Sequence, residues 1–160
     1  MRLLVVCLGN ICRSPMGEGA LRKHITASGK NEEIAVDSAG TSHWHIGQPP
    51  DASAVHCARS HGIDISTLRA RQVHHADFEH FDWLRCADAS NQCDLLRLAP
   101  PGTAHKIVLW LPWAGITQER EIPDPYLGNA KDFEHVWQLI DTAAQRSLAR
   151  LTRKAHHQGA

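Results

Sequence analysis

Near its start the sequence reads Cys7-Leu8-Gly9-Asn10-Ile11-Cys12-Arg13-Ser14-Pro15. An apolar run at 3–6 precedes this segment, and a helix-compatible run at 16–24 follows it. A strand, a tight loop and a helix start in this order gather backbone N–H groups around one point and direct a helix N-terminus at it. The segment therefore predicts an anion-binding loop between a strand and a helix.

Two side chains of this loop carry the chemistry that such a site can use. The N–H dipoles and the helix start favour the thiolate form of Cys7, which is the nucleophilic form of a cysteine. Arg13 presents a planar fork of donors that can hold two oxygens of one phosphate. We expect the phosphate-binding residues to be Leu8, Gly9, Asn10, Ile11, Cys12 and Arg13.

The remaining residues of the loop suit a tight turn into a helix. Gly9 and Asn10 are residue types that tolerate the positive φ of an anion nest. Ser14 is expected to cap the helix and to donate its hydroxyl to the Cys7 sulfur. Pro15 fits the first helical turn, where its missing N–H costs nothing.

A second segment supplies an acid. Residues 121–128 place Asp124 between two prolines, Pro123 and Pro125. The proline rings stiffen the backbone, and the residue before a proline is biased towards an extended conformation. A rigid loop that presents one carboxyl group suits proton donation to a leaving oxygen. We therefore expect Asp124 to act as a general acid.

The two segments together resemble the low-molecular-weight protein tyrosine phosphatase family. The resemblance runs from residue 2 to about residue 151, and it includes further motifs at 37–41, 44–47, 61–63, 81–83 and 88–91. It implies that Cys7 is the nucleophile, Arg13 the phosphate clamp and Ser14 the partner of the thiolate. It also implies that Asp124 is the general acid and then the base, and that Asn10 holds the shape of the loop.

The resemblance also implies a substrate and two substrate walls. Trp44 and Tyr126 would line a deep slot for the ring of phosphotyrosine in a protein, and depth would exclude phosphoserine. Bacterial enzymes of this kind often oppose tyrosine kinases, so a kinase is one candidate partner. Cys12 lies five residues from Cys7 and is a candidate redox partner that could trap it as a disulfide.

The other cysteines leave one alternative function open. Thioredoxin-coupled arsenate reductases share the fold and a similar loop, and they add two cysteines for a disulfide relay. In those reductases the two cysteines are separated by a short segment, and Cys86 and Cys93, with six residues between them, reproduce that spacing. The Asn-Ile-Cys-Arg-Ser-Pro form of the loop and the Asp-Pro-Tyr context of Asp124 favour the phosphatase. Cys86 also ends a buried strand, where an inert thiol is common.

Composition limits the remaining classes. The 160 residues suit one domain, which we place at 1–152, followed by a frayed tail at 153–160. Acidic and basic residues balance at 17 each, so we expect neither nucleic acid nor a membrane as a partner. Five cysteines and no targeting segment point to the reducing cytoplasm. We expect no cofactor.

The 12 histidines raise the question of a metal. They are scattered along the chain, and none forms a His-Glu-x-x-His motif or pairs with a Cys-x-x-Cys motif. We therefore expect no metal ion.

Alternating apolar patterns predict a single-domain, doubly wound α/β fold. Four parallel strands would carry helices on both faces, with ligands at the carboxyl ends of the strands. The predicted strands are 3–7, 33–37, 82–87 and 106–111, and the predicted helices are 15–28, 51–61, 91–98 and 130–152.

Overall fold

The sheet of the computed structural model has four parallel strands, which confirms the predicted α/β class. Backbone is described for residues 1–159 and side chains for residues 1–153. The strands are β1 (Arg2–Cys7), β2 (Ala35–Gly40), β3 (Trp83–Cys86) and β4 (Ile107–Leu109). Their spatial order is β2-β1-β3-β4, and every neighbouring pair is parallel.

Six α-helices connect or follow the strands within residues 1–159. They are α1 (Arg13–Ala27), α2 (Ala52–Ser60), α3 (Asp77–His80), α4 (Ala89–Leu98), α5 (Trp110–Trp113) and α6 (Ala130–Gly159). The predicted frayed tail at 153–160 falls mainly outside the residues whose side chains are described, and it stays a prediction. None of these helices is both long and apolar enough to cross a membrane.

Strand β1 separates two hydrophobic cores. Leu3 and Val5 face one core, which includes residues of α1, α2 and α6. Leu4 and Val6 face the other core, which includes residues of α3 and α4. This alternation follows from the two-residue repeat of a strand, and burial on both faces explains the unbroken apolar run at 3–6. The helices therefore cover both faces of the sheet, as predicted.

The fourth strand is shorter than predicted because the chain turns into a helix at its end. Trp110 and Leu111 were expected in the strand, but they begin α5. Pro112 follows them and has no N–H with which to continue a sheet ladder. Trp110 is instead fully buried against α6, where its indole N–H donates to Ser147 Oγ at 2.8 Å.

Two further boundaries differ for local reasons. Strand β2 starts later than predicted because Glu33 and Ile34 donate their N–H groups to Lys30 in a turn. Helix α4 starts two residues before the predicted position because Asp88 caps it, accepting the N–H of Asn91 at 2.9 Å. The Asn91 side chain accepts the N–H of Asp88 in return, which completes a capping box.

The strand order places one end of β1 at a special point of the sheet. The chain moves from β1 to β2 on one side and then to β3 on the other, so the direction of winding reverses between β1 and β3. In doubly wound sheets, ligands bind outside the carboxyl ends of the strands at such a switch point. Cys7 is the last residue of β1, so the cysteine of the predicted anion loop lies at this point.

Candidate active site

The loop after β1 holds a row of free backbone donors. Among the described residues, the N–H groups of residues 8–12 donate no hydrogen bond. Asn10 adopts a φ of 56°, the left-handed conformation that curls successive N–H groups into a concave nest. The expected positive φ is found at Asn10 but not at Gly9. A Cβ at Gly9 would lie 3.0 Å from the His45 ring, so a larger residue there would require that ring to move by a few tenths of an ångström.

The carboxamide of Asn10 ties this loop to three other segments. Its Nδ2 donates to Ser14 Oγ at 2.6 Å and to Ser38 Oγ at 3.1 Å. Its Oδ1 accepts the backbone N–H of Arg71 at 3.0 Å. Asn10 is only 3 % exposed, so these three bonds use the side chain with almost no competition from water.

Ser14 lies beside the sulfur of Cys7. Its Oγ is 3.0 Å from Cys7 Sγ. Ser14 Oγ accepts from Asn10, and its hydroxyl hydrogen remains free to donate to the sulfur when Cys7 is a thiolate, which cannot itself donate. Ser14 does not cap the helix as predicted: α1 begins at Arg13, and its N-cap is Cys12 without a side-chain cap bond. The hydroxyl is already committed to Asn10 and Cys7.

A buried carboxylate lies behind Asn10. Ser38 donates its hydroxyl to Glu18 Oε1 at 2.7 Å, and Arg22 pairs with Glu18 Oε2 at the same distance. Burial raises the pKa of Glu18, although the bonds from Ser38 and Arg22 oppose that rise. Since Ser38 donates to Glu18, a lone pair of its oxygen is available to Asn10. Glu18 and Ser38 were not predicted, and no motif around them indicates their contact.

Arg13 is anchored through one arm of its guanidinium group. Nη1 donates to Asp88 Oδ2 at 2.7 Å and to the carbonyl of Ile122 at 2.9 Å. No hydrogen bond from Nε or Nη2 occurs within the part of the chain that the structure describes. Although burial opposes its charge, the Cys7 sulfur and the Asp88 carboxylate raise the pKa of Arg13 above its ordinary value. Asp88 falls within the motif at 88–91, but nothing in the sequence indicates its bond to Arg13.

Asp124 lies on the other side of the same guanidinium group. Its Oδ2 is 3.7 Å from Arg13 Nη2, and its Oδ1 accepts the N–H of Tyr126 at 3.0 Å. The loop that carries Asp124 is joined to the end of β3, because Ile122 donates its N–H to the carbonyl of Ala87 at 2.8 Å. The loop after β1 and the loop at 121–128 thus bring Arg13 and Asp124 next to each other.

These residues line one cleft of about 90 Å³. The predicted residues Trp44 and Tyr126 form its rim and are 63 % and 47 % exposed. His45 was named as part of a motif but not as a wall; its ring lies edge-on to Tyr126, with 6.4 Å between the ring centroids. The residues that line the cleft are Cys7, Leu8, Gly9, Ile11, Cys12, Arg13, Trp44, His45, Asp124 and Tyr126.

The second cysteine of the loop is held as a thiol. Cys12 lines the cleft but is only 4 % exposed. Burial raises the pKa of Cys12 well above its ordinary value, and the charges of Asp51, Cys7 and Asp124 act in the same direction. A neutral Cys12 places no second negative charge beside Cys7.

The cysteines of the alternative function lie in unlike surroundings. Cys86 is fully buried in β3, and burial raises its pKa to about 12. Cys93 lies on α4 and is exposed. A relay that ends on thioredoxin needs thiols that a second protein can reach, and full burial in a strand denies that access to Cys86. The arsenate reductase alternative is therefore not favoured.

A thiol, an arginine and free N–H groups at the carboxyl end of a parallel strand are typical of phosphatases that use a cysteine. Comparison with known proteins agrees. The family model for low molecular weight phosphotyrosine protein phosphatase matches residues 2–157. The human (Homo sapiens) low molecular weight phosphotyrosine protein phosphatase is 44% identical over 137 residues, which cover 85% of this chain and 86% of the human one.

Two solved structures have the same fold. A protein tyrosine phosphatase from Entamoeba histolytica superimposes with a TM-score of 0.92 at 34% identity, covering 97% of this chain and 99% of its own. Wzb of Vibrio vulnificus superimposes with a TM-score of 0.81 at 33% identity, covering 93% of this chain and 97% of its own. The chain belongs to the low molecular weight phosphotyrosine protein phosphatase family. It is a protein tyrosine phosphatase, a hydrolase of phosphoric monoesters.

Replacement of Asn10 separates its hydrogen bonds from its backbone conformation. Asn10→Gly removes three buried bonds and is expected to lower the free energy of unfolding by about 1–3 kcal/mol. Asn10→Ala removes the same bonds and adds the strain of a left-handed residue, so it should cost roughly 1 kcal/mol more. Urea unfolding of both variants measures the difference. Equal losses would mean that the φ of residue 10 carries no strain for a side chain.

Proposed function

We propose that this phosphatase hydrolyses phosphotyrosine through a phosphocysteine formed on Cys7. The observation that carries the proposal is the row of free N–H groups at residues 8–12, in the loop that lines the same cleft as Cys7. Each unpaired backbone donor needs an acceptor, and a group of five in one loop beside an arginine suits the oxygens of an anion. The proposed phosphate-binding residues are those of the loop: Leu8, Gly9, Asn10, Ile11, Cys12 and Arg13.

In the first step the Cys7 thiolate attacks phosphorus opposite the phenolic oxygen. The P–O bond breaks, its electron pair moves to the departing oxygen, and Asp124 transfers a proton to that oxygen. Nη1 of Arg13 is held by Asp88 and Ile122, which leaves Nε and Nη2 for two equatorial oxygens. The loop N–H groups bind the same charge, which grows in the transition state.

In the second step water cleaves the phosphocysteine. The Asp124 carboxylate, now without its proton, takes one from the attacking water. The S–P bond breaks and its electron pair returns to sulfur. The Ser14 hydroxyl is 3.0 Å from that sulfur and donates to it, which stabilises the departing thiolate. Inorganic phosphate then leaves the cleft.

The rim of the cleft suits an aromatic ester. Trp44 and Tyr126 are exposed aromatic residues in the lining of the cleft that Cys7 also lines. A phenyl ring between them would place its phosphate at the loop, whereas the short side chain of phosphoserine would hold phosphorus too far from the sulfur. The Wzb structure of Vibrio vulnificus is a complex with benzylphosphonate, which joins a phenyl ring to a phosphonate group. This likeness supports an aryl phosphate as the substrate of the present chain.

The protein partner would therefore carry phosphotyrosine. A tyrosine kinase that phosphorylates itself is one candidate, because its phosphotyrosines would be substrates of this cleft. The cytoplasm stays the proposed compartment, since all five cysteines are free thiols, which a reducing compartment maintains.

Cys12 is proposed as the redox partner of Cys7. Peroxide would convert the Cys7 thiolate into a sulfenic acid, with release of water after protonation. The Cys12 thiol would then form a disulfide with Cys7 and release a second water. Both residues line the same cleft, and both are shielded from bulk solvent. The disulfide would protect Cys7 from irreversible oxidation.

The nucleophile is tested by three serine variants. Cys7→Ser should lower the hydrolysis of para-nitrophenyl phosphate by at least about 10⁴-fold, because the nucleophile is lost. It should still bind inorganic phosphate in calorimetry, since the N–H groups and Arg13 remain. Cys86→Ser and Cys93→Ser are the matched controls and should keep their turnover. Thioredoxin-coupled arsenate reduction that requires all three cysteines would overturn the assignment.

The acid is tested by the leaving group. Asp124→Asn keeps an acceptor for the Tyr126 N–H, so the loop is preserved. Its amide has no acidic proton to transfer to the leaving group. Its kcat should fall by about 10²–10⁴-fold for phenyl phosphate, whose leaving group is poor. The loss should be much smaller for para-nitrophenyl phosphate, whose leaving group needs little protonation. The same loss for both esters would exclude Asp124 as the acid.

The redox proposal is tested by recovery from peroxide. After brief treatment, dithiothreitol should restore most activity to the wild type and to Cys93→Ser. Cys12→Ser should recover much less, because its Cys7 continues to the sulfinic acid. Peptide mapping should find the Cys7–Cys12 disulfide before reduction. Full recovery of Cys12→Ser would exclude this protection.

A further inference from the structure

A second cluster of reactive side chains lies outside the phosphate cleft. Cys57 is on α2, His61 directly follows the end of that helix, and Glu134 is in the first turns of α6. The thiol, the imidazole and the carboxylate each offer one ligand atom, and these atoms all lie within 4.8 Å of one another. Cys57 and Glu134 are 77 residues apart, so the packing of α2 against α6 creates the cluster.

The separations are close to those of a metal site. Nε2 of His61 is 2.8 Å from Glu134 Oε2, and Sγ of Cys57 is 3.7 Å from the same oxygen. Ligands on tetrahedral zinc at about 2.0–2.3 Å are separated by roughly 3.2–3.8 Å. The imidazole and the carboxylate would therefore move apart by about half an ångström to admit the ion.

Neighbouring side chains hold two of the ligands in place. The His61 ring stacks on Trp137, with 5.1 Å between the centroids and 16° between the planes. The other carboxylate oxygen of Glu134 accepts from Gln138 Nε2 at 2.9 Å. Supports of this kind orient the ligands of a metal and raise its affinity.

The charges of the cluster match a divalent cation. The bond from His61 lowers the pKa of Glu134, so this residue is a carboxylate. Burial raises the pKa of Cys57 to about 11, so the bare site holds a thiol. A metal ion would displace that proton, and thiolate, carboxylate and neutral imidazole would then supply two negative charges.

An open cavity leads to two of these ligands. Its volume is about 490 Å³, and Cys57 and Glu134 are part of its wall, together with His56 and Lys131. None of its lining residues lines the phosphate cleft. An ion can therefore enter from solvent, and water from the cavity can take the fourth position.

We propose that Cys57, His61 and Glu134 form a zinc site, with water as the fourth ligand, separate from the phosphate cleft. The donor set of one sulfur, one nitrogen and one oxygen is of the kind that zinc accepts. The expectation of no metal rested on ligand motifs that are continuous in sequence. In this cluster only Cys57 and His61 are close in sequence, and Glu134 is not. That pair, four residues apart, lies on one face at the end of a helix.

Cobalt titration tests the site, because a thiolate bound to Co²⁺ gives a charge-transfer absorption that a carboxylate or imidazole does not. The full chain is used as wild type and as Cys7→Ser, which removes the active-site thiolate. Both should show an absorption that saturates at one equivalent of Co²⁺ and is removed by Zn²⁺. Absence of such a band in Cys7→Ser would overturn the proposal.

Further variants in the Cys7→Ser protein locate the ligands. Cys57→Ser should abolish the band, and His61→Gln and Glu134→Gln should each weaken the affinity by at least about a hundredfold. His56→Gln, in the same cavity but outside the cluster, is the matched control and should bind normally. Circular dichroism checks that each variant is folded. If Cys57→Ser unfolds, the affinities of His61→Gln and Glu134→Gln, which alter partly exposed residues, test the site. Equal affinity in His61→Gln, Glu134→Gln and His56→Gln would overturn the site.

Discussion

The shape of the loop after β1 depends on the carboxamide of Asn10. Its two N–H groups and its oxygen reach α1, β2 and the segment at residue 71. These contacts hold residue 10 at a positive φ, and that conformation turns the neighbouring N–H groups towards one point. The loop can keep its donors free because side-chain bonds, and not the N–H groups themselves, hold its shape.

Arg13 is held by hydrogen bonds to residues that are distant from it in sequence. A buried guanidinium needs partners, and Asp88 and the carbonyl of Ile122 provide them. Asp88 follows β3 and also caps α4, so the same carboxylate stabilises a helix and orients the arginine. Ile122 precedes Asp124 by two residues, so the contact that anchors Arg13 also positions the loop of the proposed acid. The cap of α4, the ion pair of Arg13 and the placement of the proposed acid thus depend on the same few residues.

The sequence was informative wherever chemistry and local order coincide. The loop from Cys7 to Pro15 predicted a strand, an anion nest and a helix start because each residue type there has a narrow conformational use. Contacts between distant segments could not be predicted in this way. The Glu18–Ser38 bond, the Arg13–Asp88 bond and the Cys57–His61–Glu134 cluster join residues on different elements, and nothing near any of them in sequence indicates its partner. Trp110 was misplaced for a related reason, since an apolar run does not distinguish a strand from a buried helical turn.

The hydrogen bonds around Asn10 all have a defined direction. Glu18 accepts from Ser38, Ser38 accepts from Asn10, Asn10 donates to Ser14, and Ser14 donates to Cys7. The Glu18 carboxylate can only accept, which fixes the direction of the Ser38 bond, and the NH2 group of Asn10 can only donate to Ser38 and Ser14. The Ser14 hydroxyl beside the sulfur of the proposed nucleophile is thus held in place before a substrate arrives. Water would have to rotate to solvate a thiolate leaving the proposed phosphocysteine, whereas this array is already oriented, so that step would need little solvent reorganisation.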